Sequence, residues 1–378
     1  MGRDLCFLVL VDHRTFLLVA WADLSPSAPV TILCPMTLSQ DSLPKDMLAV
    51  ILNGEGGPEV LTPARLALPP VRAGEVLIRV AAAGVNGPDI SQREGRYAPP
   101  PDASPLPGLE VSGTIAALGA GVTRFAPGQS VVALCNGGGY AEYVAVPAGQ
   151  VLPSPAGWSW ADAAGLPETF FTIQQTLVER SRLEPGMNVL VHGGSGGLGA
   201  TAIQMGKLHG CTILATASGP EKMAYAAAMG ADAVIDYRKE DFVARCRELT
   251  DGRGVDRILD IIGGDYLGRN LRAAARNAVI LQLAMREGAR TEIDLGPILM
   301  KALTLTGSTL RPQSGADKAR LAAGLAATVW PAIAAGRIRP ARTRTFPLDR
   351  AADAHRSMES RDHYGKIVLV TDFGAAAG

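Results

Sequence analysis

Three glycines between residues 193 and 199 have the spacing of a phosphate-binding loop. Gly194, Gly196 and Gly199 satisfy the pattern G-x-G-x-x-G, directly after the apolar run Val189–His192 and before a predicted helix that ends near Leu208. Such a loop needs a tight turn and a close backbone approach to a pyrophosphate, while unpaired N–H groups of the helix bind phosphate oxygens. The spacing predicts a dinucleotide site; a purely structural glycine turn is the alternative.

The end of the second predicted strand indicates which dinucleotide binds. Chains that bind NAD usually have an Asp or Glu at this position, and its carboxylate accepts a hydrogen bond from the ribose 2′-hydroxyl. Here the strand Thr212–Ala217 is followed by Ser218, and Lys222 comes four residues later. A hydroxyl and a cation suit the 2′-phosphate of NADP, because a charge-assisted hydrogen bond to phosphate is strong. We therefore expect NADPH; the alternative for Lys222 alone is an ordinary surface lysine.

Composition excludes several classes of protein. The 378 residues include 36 Lys and Arg and 36 Asp and Glu, so the formal net charge is zero and no nucleic-acid partner is expected. The five cysteines never form a C-x-x-C pair, which disfavours a disulfide framework and fits the reducing cytoplasm. No apolar run approaches the roughly 18–20 residues of a membrane span, so no membrane partner is expected.

The elements that must position the loop are predicted from changes in periodicity. Short β-prone runs broken by Gly and Pro predict a β-rich, partly barrel-like domain in the first half of the chain: 76–80, 111–116, 130–133 and 141–146. From about residue 184, strands alternate with helices: 189–192, 212–217, 233–235, 257–262 and 279–283. This alternation predicts a doubly wound, mostly parallel sheet.

The two ends of the chain carry separate predictions. A helix over 317–335, a helix over 351–359 and a closing strand over 366–370 are expected to return to the first domain, because a lone strand needs a sheet. Residues 1–46 are expected to be an N-terminal extension outside the core, since the regular strand pattern begins at Met47; a genuine additional element is the alternative.

Several motifs, in order along the chain, resemble one enzyme family. They are Ala83–Tyr97, Gly108–Gly113, Pro127–Val132, Gly137–Val144, Pro167–Thr172, Asp260–Gly264, Ala354–Glu359 and Gly365–Val368. From Met47 to Val370 the chain resembles the zinc-independent medium-chain dehydrogenase/reductases of the quinone oxidoreductase (zeta-crystallin-like) branch. The resemblance implies an α/β protein with a GroES-like catalytic domain (47–169 and 311–378), a Rossmann NADP-binding domain (170–310) and an active site in the cleft between them.

The resemblance also shows which metal ligands are missing. Zinc-dependent relatives place a Cys near the position of Asn86 and a Gly-His-Glu where this chain has Gly108, Leu109 and Glu110. Neither Asn nor Leu supplies the thiolate or imidazole that zinc prefers. We therefore expect no metal.

A reductase without a metal needs a hydrogen-bond donor at the carbonyl oxygen of its substrate. The resemblance implies three catalytic candidates: Asn86, Tyr97 and Thr172. Their structural alternatives are a turn residue, a surface aromatic and a helix-interior hydroxyl. Glu110 is expected to orient backbone in the floor of the cleft rather than to act as an acid.

The family also implies residues that contact the cofactor. They are the loop residues Gly193, Gly194, Ser195, Gly196, Gly197, Leu198 and Gly199; Ser218, Lys222 and Tyr237 at the 2′-phosphate; and Gly263, Ser308 and Lys366. The loops Leu283–Gly288 and Arg361–Tyr364 depart from the family pattern, which leaves the choice of substrate open.

The expected function is NADPH-dependent reduction of a quinone or an α,β-unsaturated carbonyl (enone). Two alternatives stay open: an enoyl-thioester reductase acting on carrier-bound intermediates, and a non-catalytic NADPH-binding sensor. The Thr- and Leu-rich segment Leu303–Thr309 predicts an exposed edge strand, and the resemblance implies a homodimer joined at that edge.

Overall fold

The computed structural model describes residues 6–12, 15–20 and 43–377. Strands β1 (Cys6–Asp12) and β2 (Thr15–Ala20) form an antiparallel hairpin, which the sequence had not suggested. Most of the extension predicted over residues 1–46 lies outside the described residues. The unit that begins at Pro44 contains all other elements.

The first part of this unit is rich in β-structure. Its strands are β3 (Asp46–Leu52), β4 (Leu61–Ala67), β5 (Glu75–Val85), β6 (Glu110–Leu118), β7 (Ser130–Leu134), β8 (Tyr143–Pro147) and β9 (Val151–Pro153). Its helices are α1 (Gly87–Arg93), α2 (Trp160–Ala164) and α3 (Pro167–Ile173), with 3₁₀ turns at Pro58–Val60 and Ala148–Gln150 and a π-helix at Gln174–Arg180.

Strands and helices then alternate. They are β10 (Asn188–Val191), α4 (Gly197–Leu208), β11 (Thr212–Ala217), α5 (Pro220–Ala228), β12 (Ala233–Asp236), α6 (Phe242–Glu248), β13 (Val255–Asp260), α7 (Tyr266–Ala273), β14 (Ala274–Gln282), α8 (Gly296–Lys301) and β15 (Thr304–Gly307). The last elements are α9 (Gly315–Ala334), β16 (Thr343–Pro347), a 3₁₀ turn at Leu348–Arg350, α10 (Ala351–Glu359), β17 (Lys366–Val370) and α11 (Asp372–Ala376).

A seven-stranded sheet forms the core of the β-rich part. Its order is β16-β17-β5-β6-β7-β9, with β8 also paired to β5, while β3 and β4 form a separate hairpin. Strand β5 is longer than predicted because the weakly β-prone alanines Ala81, Ala82 and Ala83 continue it. These residues are fully buried between neighbouring strands, so tertiary pairing outweighs their local propensity.

The register of β17 against β5 determines which residues meet at one edge of this sheet. This strand comes from the end of the chain and pairs antiparallel with β5, with Ile367 opposite Val85. The residue before Ile367 is Lys366, and the residue after Val85 is Asn86. The pairing therefore brings Lys366 and Asn86, 280 residues apart in the chain, to the same edge of the sheet.

The second sheet is fully parallel and has the order β12-β11-β10-β13-β14-β15. This is the Rossmann order, in which the chain reverses direction across the sheet between its first and fourth strands. Apolar residues of β10 and β13 are fully buried because helices cover both faces. The predicted fold class is confirmed, and the loop after β10 lies at the reversal point.

Candidate active site

The glycine loop between β10 and α4 is as tight as the motif predicts. Gly193 has φ 73°, in the left-handed region that favours glycine. A Cβ on Gly199 would clash with the carbonyl oxygen of Gly193, and one on Gly194 would lie 2.8 Å from Cβ of Ala215. The loop backbone therefore lies against β11 and α4 as closely as its atoms allow.

The C-terminal segment contacts this loop directly. Gly365 N donates to Ser195 O at 2.8 Å, and Gly196 and Gly365 form an isolated parallel bridge. The alkyl stem of Lys366 fills the space where a side chain at Gly197 would be. Leu198, the remaining loop residue, packs partly buried against the hydrophobic core. The start of β17 thus links the phosphate loop to the β-rich part of the chain.

Beyond its stem, the ammonium of Lys366 enters a buried polar cluster. Its Nζ donates to Glu110 Oε1 at 2.5 Å and to Asn86 Oδ1 at 2.7 Å. Asn86 Nδ2 donates to the same Glu110 oxygen at 2.9 Å and lies 3.4 Å from Gly84 O. The polar atoms of the Asn86 amide are therefore occupied. Contact between this amide and a cofactor would require one of these partners to exchange.

Asp89 fixes the backbone that carries Asn86. Its carboxylate accepts from Asn86 N at 2.8 Å, from Gly108 N at 3.2 Å and from the Tyr140 hydroxyl at 3.2 Å. Burial raises the pKa of Asp89 to about 6, although these hydrogen bonds oppose the shift. Asp89 is the N3 residue of a capping box whose N-cap is Asn86. The spacing of these two residues was therefore a signal for this pair that the sequence analysis did not use.

The carboxylate of Glu110 binds a backbone N–H group, in the orienting role expected of it. Its second carboxylate oxygen accepts from Glu168 N at 2.8 Å, which places the first turn of α3 against the cluster. Thr172 lies four residues further on the same helix and is half-buried.

Tyr97 lies on another side of the cleft, in the loop after α1. The guanidinium carbon of Arg311 is 5.8 Å from its ring centroid. Burial and the charge of Glu168 raise the pKa of Tyr97, so its hydroxyl keeps its proton at neutral pH. In the described part of the chain, no hydrogen bond joins the side chains of Tyr97 and Thr172.

A buried network joins the phosphate loop to the loop after β13. Its members are the side chains of Thr216, His192, Asn270 and Asp260. Thr216 Oγ1 accepts from Gly193 N at 3.2 Å, and Asp260 Oδ1 accepts from Gly263 N at 3.1 Å. His192 bridges the two halves, with Nδ1 3.1 Å from Thr216 Oγ1 and Nε2 2.8 Å from Asn270 Oδ1. One hydrogen-bond network therefore fixes the backbone of both loops that are proposed to contact the cofactor. No short sequence motif predicts this network.

The residues predicted for the 2′-phosphate are brought together only in part. Ser218 Oγ donates to the Tyr237 hydroxyl at 3.2 Å on the exposed end of the sheet. Lys222 Nζ donates instead to the carbonyl of Arg361 at 2.5 Å. Ser308 lies just after β15 and is half-buried; its hydroxyl donates to the carbonyl of its neighbour Thr309 by a long hydrogen bond of 3.5 Å.

Comparisons with known proteins agree with this architecture. The alcohol dehydrogenase GroES-like domain family matches residues 72–156, and the zinc-binding dehydrogenase family matches residues 229–369. Quinone oxidoreductase of Sus scrofa is 30% identical over 333 residues, covering 86% of this chain and 98% of that protein. The phenolphthiocerol synthesis polyketide synthase Pks15/1 of Mycobacterium marinum is 30% identical over 365 residues, covering 94% of this chain but 16% of the synthase.

Two solved structures are similar over nearly their whole length. The Escherichia coli quinone oxidoreductase complexed with NADPH has a TM-score of 0.75 and 28% identity, covering 85% of this chain and 99% of that chain. An NAD-dependent alcohol dehydrogenase has a TM-score of 0.75 and 32% identity, covering 86% of this chain and 99% of that chain. The chain belongs to the medium-chain dehydrogenase/reductases, in their quinone oxidoreductase branch.

The zinc in the name of one matching family does not fit the residues present. Where zinc-dependent relatives carry thiolate and imidazole ligands, this chain has the amide of Asn86 and the alkyl side chain of Leu109. The remaining carboxylate, Glu110, is paired with the buried ammonium of Lys366, whose positive charge would repel a second cation. Among residues 43–377, no group of three or more His, Cys, Asp or Glu side chains is arranged to hold a metal ion.

The helices offer no sign of a membrane span. In the described ranges, none is both long enough and apolar enough to cross a bilayer.

Proposed function

We propose that this chain is an NADPH-dependent oxidoreductase that reduces a quinone or an α,β-unsaturated carbonyl without a metal. The observation that carries the proposal is the Lys366–Glu110–Asn86 cluster. Its buried ammonium lies beside Asn86 and Glu110, at positions where the resemblance implies metal ligands in zinc-dependent relatives, and the stem of Lys366 packs on Gly197 of the phosphate loop. The family membership supports the reaction class.

NADPH is favoured by the residues at the adenosine end. The Ser218–Tyr237 pair offers two hydroxyls where NAD-specific chains usually place a carboxylate. Lys222 follows on α5; its ammonium donates to the Arg361 carbonyl, and exchanging that hydrogen bond would free it for the 2′-phosphate. The Escherichia coli relative whose structure contains NADPH supports the same choice.

The residues of the chain have separate tasks in this proposal. When bound, NADPH supplies the hydride. The loop Gly193–Gly199 and the helix after it bind the pyrophosphate. Asn86 and Lys366 keep the cleft floor rigid from within the cluster. Tyr97 and Thr172 have hydroxyls available to donate to the substrate carbonyl oxygen, where negative charge develops.

Steady-state NADPH oxidation tests the proposal. A panel of quinones, enones and enoyl-thioesters should contain at least one compound that the purified protein reduces, and exhaustive chelation should leave the rate unchanged. Turnover that disappears on chelation and returns with zinc would contradict the metal-free proposal. Tight NADPH binding without turnover of any compound would favour a sensor.

Enoyl-thioester reduction is the second candidate. The match to the Mycobacterium marinum polyketide synthase covers 94% of this chain, compared with 86% for the Sus scrofa quinone oxidoreductase. A carrier-bound substrate would have to dock beside the cleft. A kcat/KM for carrier-bound enoyl-thioesters at least tenfold above that for free quinones and enones would favour this function.

A further inference from the structure

Among residues 43–377, the carboxyl of Glu168 on α3 has no hydrogen-bond partner. Its backbone N is held by Glu110 at 2.8 Å, which fixes the first turn of α3. Its side chain is partly exposed, and its oxygens make no hydrogen bond to another residue in the range 43–377. The backbone of Glu168 is therefore fixed, while its carboxyl group is left to hydrogen-bond with a bound molecule.

The groups around this carboxyl decide its protonation. The groups that interact with it electrostatically are Glu110 on β6, Asp89 on α1, Lys366 on β17, Lys318 on α9, and Tyr97, Cys135 and Arg311 in loops. Burial raises the pKa of Glu168 to about 8, with the charges of Glu110 and Asp89 adding to the shift and those of Lys366 and Lys318 opposing it. At neutral pH the side chain therefore carries a proton that it can give away.

Glu168 lies on α3, and α3 packs on α4, the helix that follows the phosphate loop: Thr201 Oγ1 donates to Oγ1 of Thr169, the residue after Glu168, at 2.9 Å. The alkyl chain of Lys366 packs on Gly197 of the phosphate loop, and its ammonium donates to Glu110 Oε1. The other oxygen of Glu110 accepts from the backbone N of Glu168. Glu168 and Thr172 are four residues apart on α3 and so lie on one face of that helix. The charge of Glu168 also acts on Tyr97 and Arg311 across the cleft.

We propose that Glu168 is the proton donor of the reaction and protonates the α-carbon of an α,β-unsaturated carbonyl substrate. This inference rests on the proposed function. When bound, NADPH would supply the hydride for the new C–H bond at the β-carbon; the C–H bond that carried this hydride breaks, which leaves NADP⁺ and the substrate as an enolate. The enolate electron pair then forms a C–H bond at the α-carbon as the O–H bond of Glu168 breaks. The carboxylate recovers its proton from water.

Tyr97 is less suited to this step. A general acid works best when its pKa lies near the working pH. The pKa of Tyr97 is raised above its ordinary value of 10, so its proton is held too firmly for transfer. Tyr97 fits the role of a neutral hydrogen-bond donor to the carbonyl oxygen.

Three variants test the assignment: Glu168→Gln, Glu168→Asp and, as a surface control, Glu184→Gln, whose side chain is exposed. The substrate is 2-methylcyclohex-2-enone, because its α-carbon becomes a stereocentre on reduction. Glu168→Gln should lower kcat about 100-fold or more, Glu168→Asp should recover part of that loss, and Glu184→Gln should match the wild type. Wild-type kcat should fall above about pH 8, whereas the residual rate of Glu168→Gln should lack this step.

Two readouts separate proton donation from a merely structural role. The wild type should give one enantiomer of 2-methylcyclohexanone, and Glu168→Gln a mixture, because water then protonates the enolate from either face. Infrared titration of the protein without cofactor should show a protonated carboxyl that ionises near pH 8 and is missing in Glu168→Gln. NADPH affinity, followed by fluorescence, should be the same in all four proteins.

The outcomes distinguish the two proposals. A wild type that reduces the enone together with a Glu168→Gln variant that keeps its kcat and enantiomer overturns the role of Glu168 alone. A wild type that reduces no carbonyl compound overturns the proposed function and this inference with it. Loss of rate and of stereochemical control in Glu168→Gln, at unchanged NADPH affinity, supports both.

Discussion

The ammonium of Lys366 lies 2.5 Å from Glu110 Oε1, and both side chains are buried. The two residues come from β17 and β6, which belong to the same seven-stranded sheet. Since the stem of Lys366 also packs on Gly197, one side chain connects the phosphate loop, the C-terminal strand and the floor of the cleft.

Removing one partner of this pair should be costly. Lys366→Met leaves Glu110 charged, buried and unpaired, so we expect the free energy of unfolding to fall by about 3–5 kcal/mol. The double variant Lys366→Met, Glu110→Gln removes both charges and should recover a large part of that loss. Urea unfolding of the three proteins measures this. A double variant as unstable as the single one would show that lost packing, not the unpaired charge, causes the effect.

Gly199→Ala should disrupt the phosphate loop. The new methyl would clash with the carbonyl oxygen of Gly193, so the loop must open and NADPH affinity should fall at least tenfold. Gly268→Ala is the matched control, because a Cβ there meets no atom within 4 Å and the residue lies in helix α7. Fluorescence titration with NADPH measures both. Equal affinities in the two variants would contradict the role of the loop.

Cofactor preference should depend on Lys222. We expect NADPH to bind at least tenfold more tightly than NADH, and Lys222→Met to remove much of the difference by weakening NADPH binding alone. For this, the Lys222 ammonium must leave the Arg361 carbonyl and turn to the 2′-phosphate. Lys45→Met, at an exposed lysine, should leave both affinities unchanged. Equal affinity of the wild type for the two cofactors would refute the preference.

Asp89 should make stability depend on pH. Its pKa is about 6 in the folded chain and 3.8 in the unfolded chain, so between these values the folded state holds the proton more firmly. The stabilisation from this proton is complete below about pH 3.8 and is lost as the pH rises through 6, by roughly 3 kcal/mol at most. The free energy of unfolding of the wild type minus that of Asp89→Asn should therefore decrease from pH 4.5 to 7.5. A difference that rises with pH would contradict this.

The edge strand β15 should join two copies of the chain. Leu305 on this strand is 46% exposed and, with Met285, lines a cavity of about 290 Å³. We expect light scattering to give twice the 39.4 kDa of one chain, and Leu305→Lys to give monomers, because a charge on an exposed edge opposes pairing. Leu249→Lys, at a similarly exposed leucine after α6, should stay dimeric. A wild type that remains monomeric on concentration would rule the dimer out.

The sequence alone determined the elements whose signals are local. The glycine spacing, the apolar strand before it and the helix after it specified the phosphate loop, because a tight turn and a helix start depend on a few neighbouring residues. Strands β11 and β17 and helix α10 fall at the predicted residues, and α9 within two of them. Alternation of strands and helices likewise sufficed for the parallel sheet.

Only the tertiary structure decided what the cleft contains. Asn86, Glu110 and Lys366 meet because β17 pairs with β5 in one register, and no local pattern encodes a pairing across 280 residues. Nothing beside Glu168 in the sequence marks it, and the capping-box spacing of Asp89 predicts its hydrogen bond to Asn86 but not its burial. Burial raises their pKa values, and burial is a property of the packed chain and not of the residues beside them.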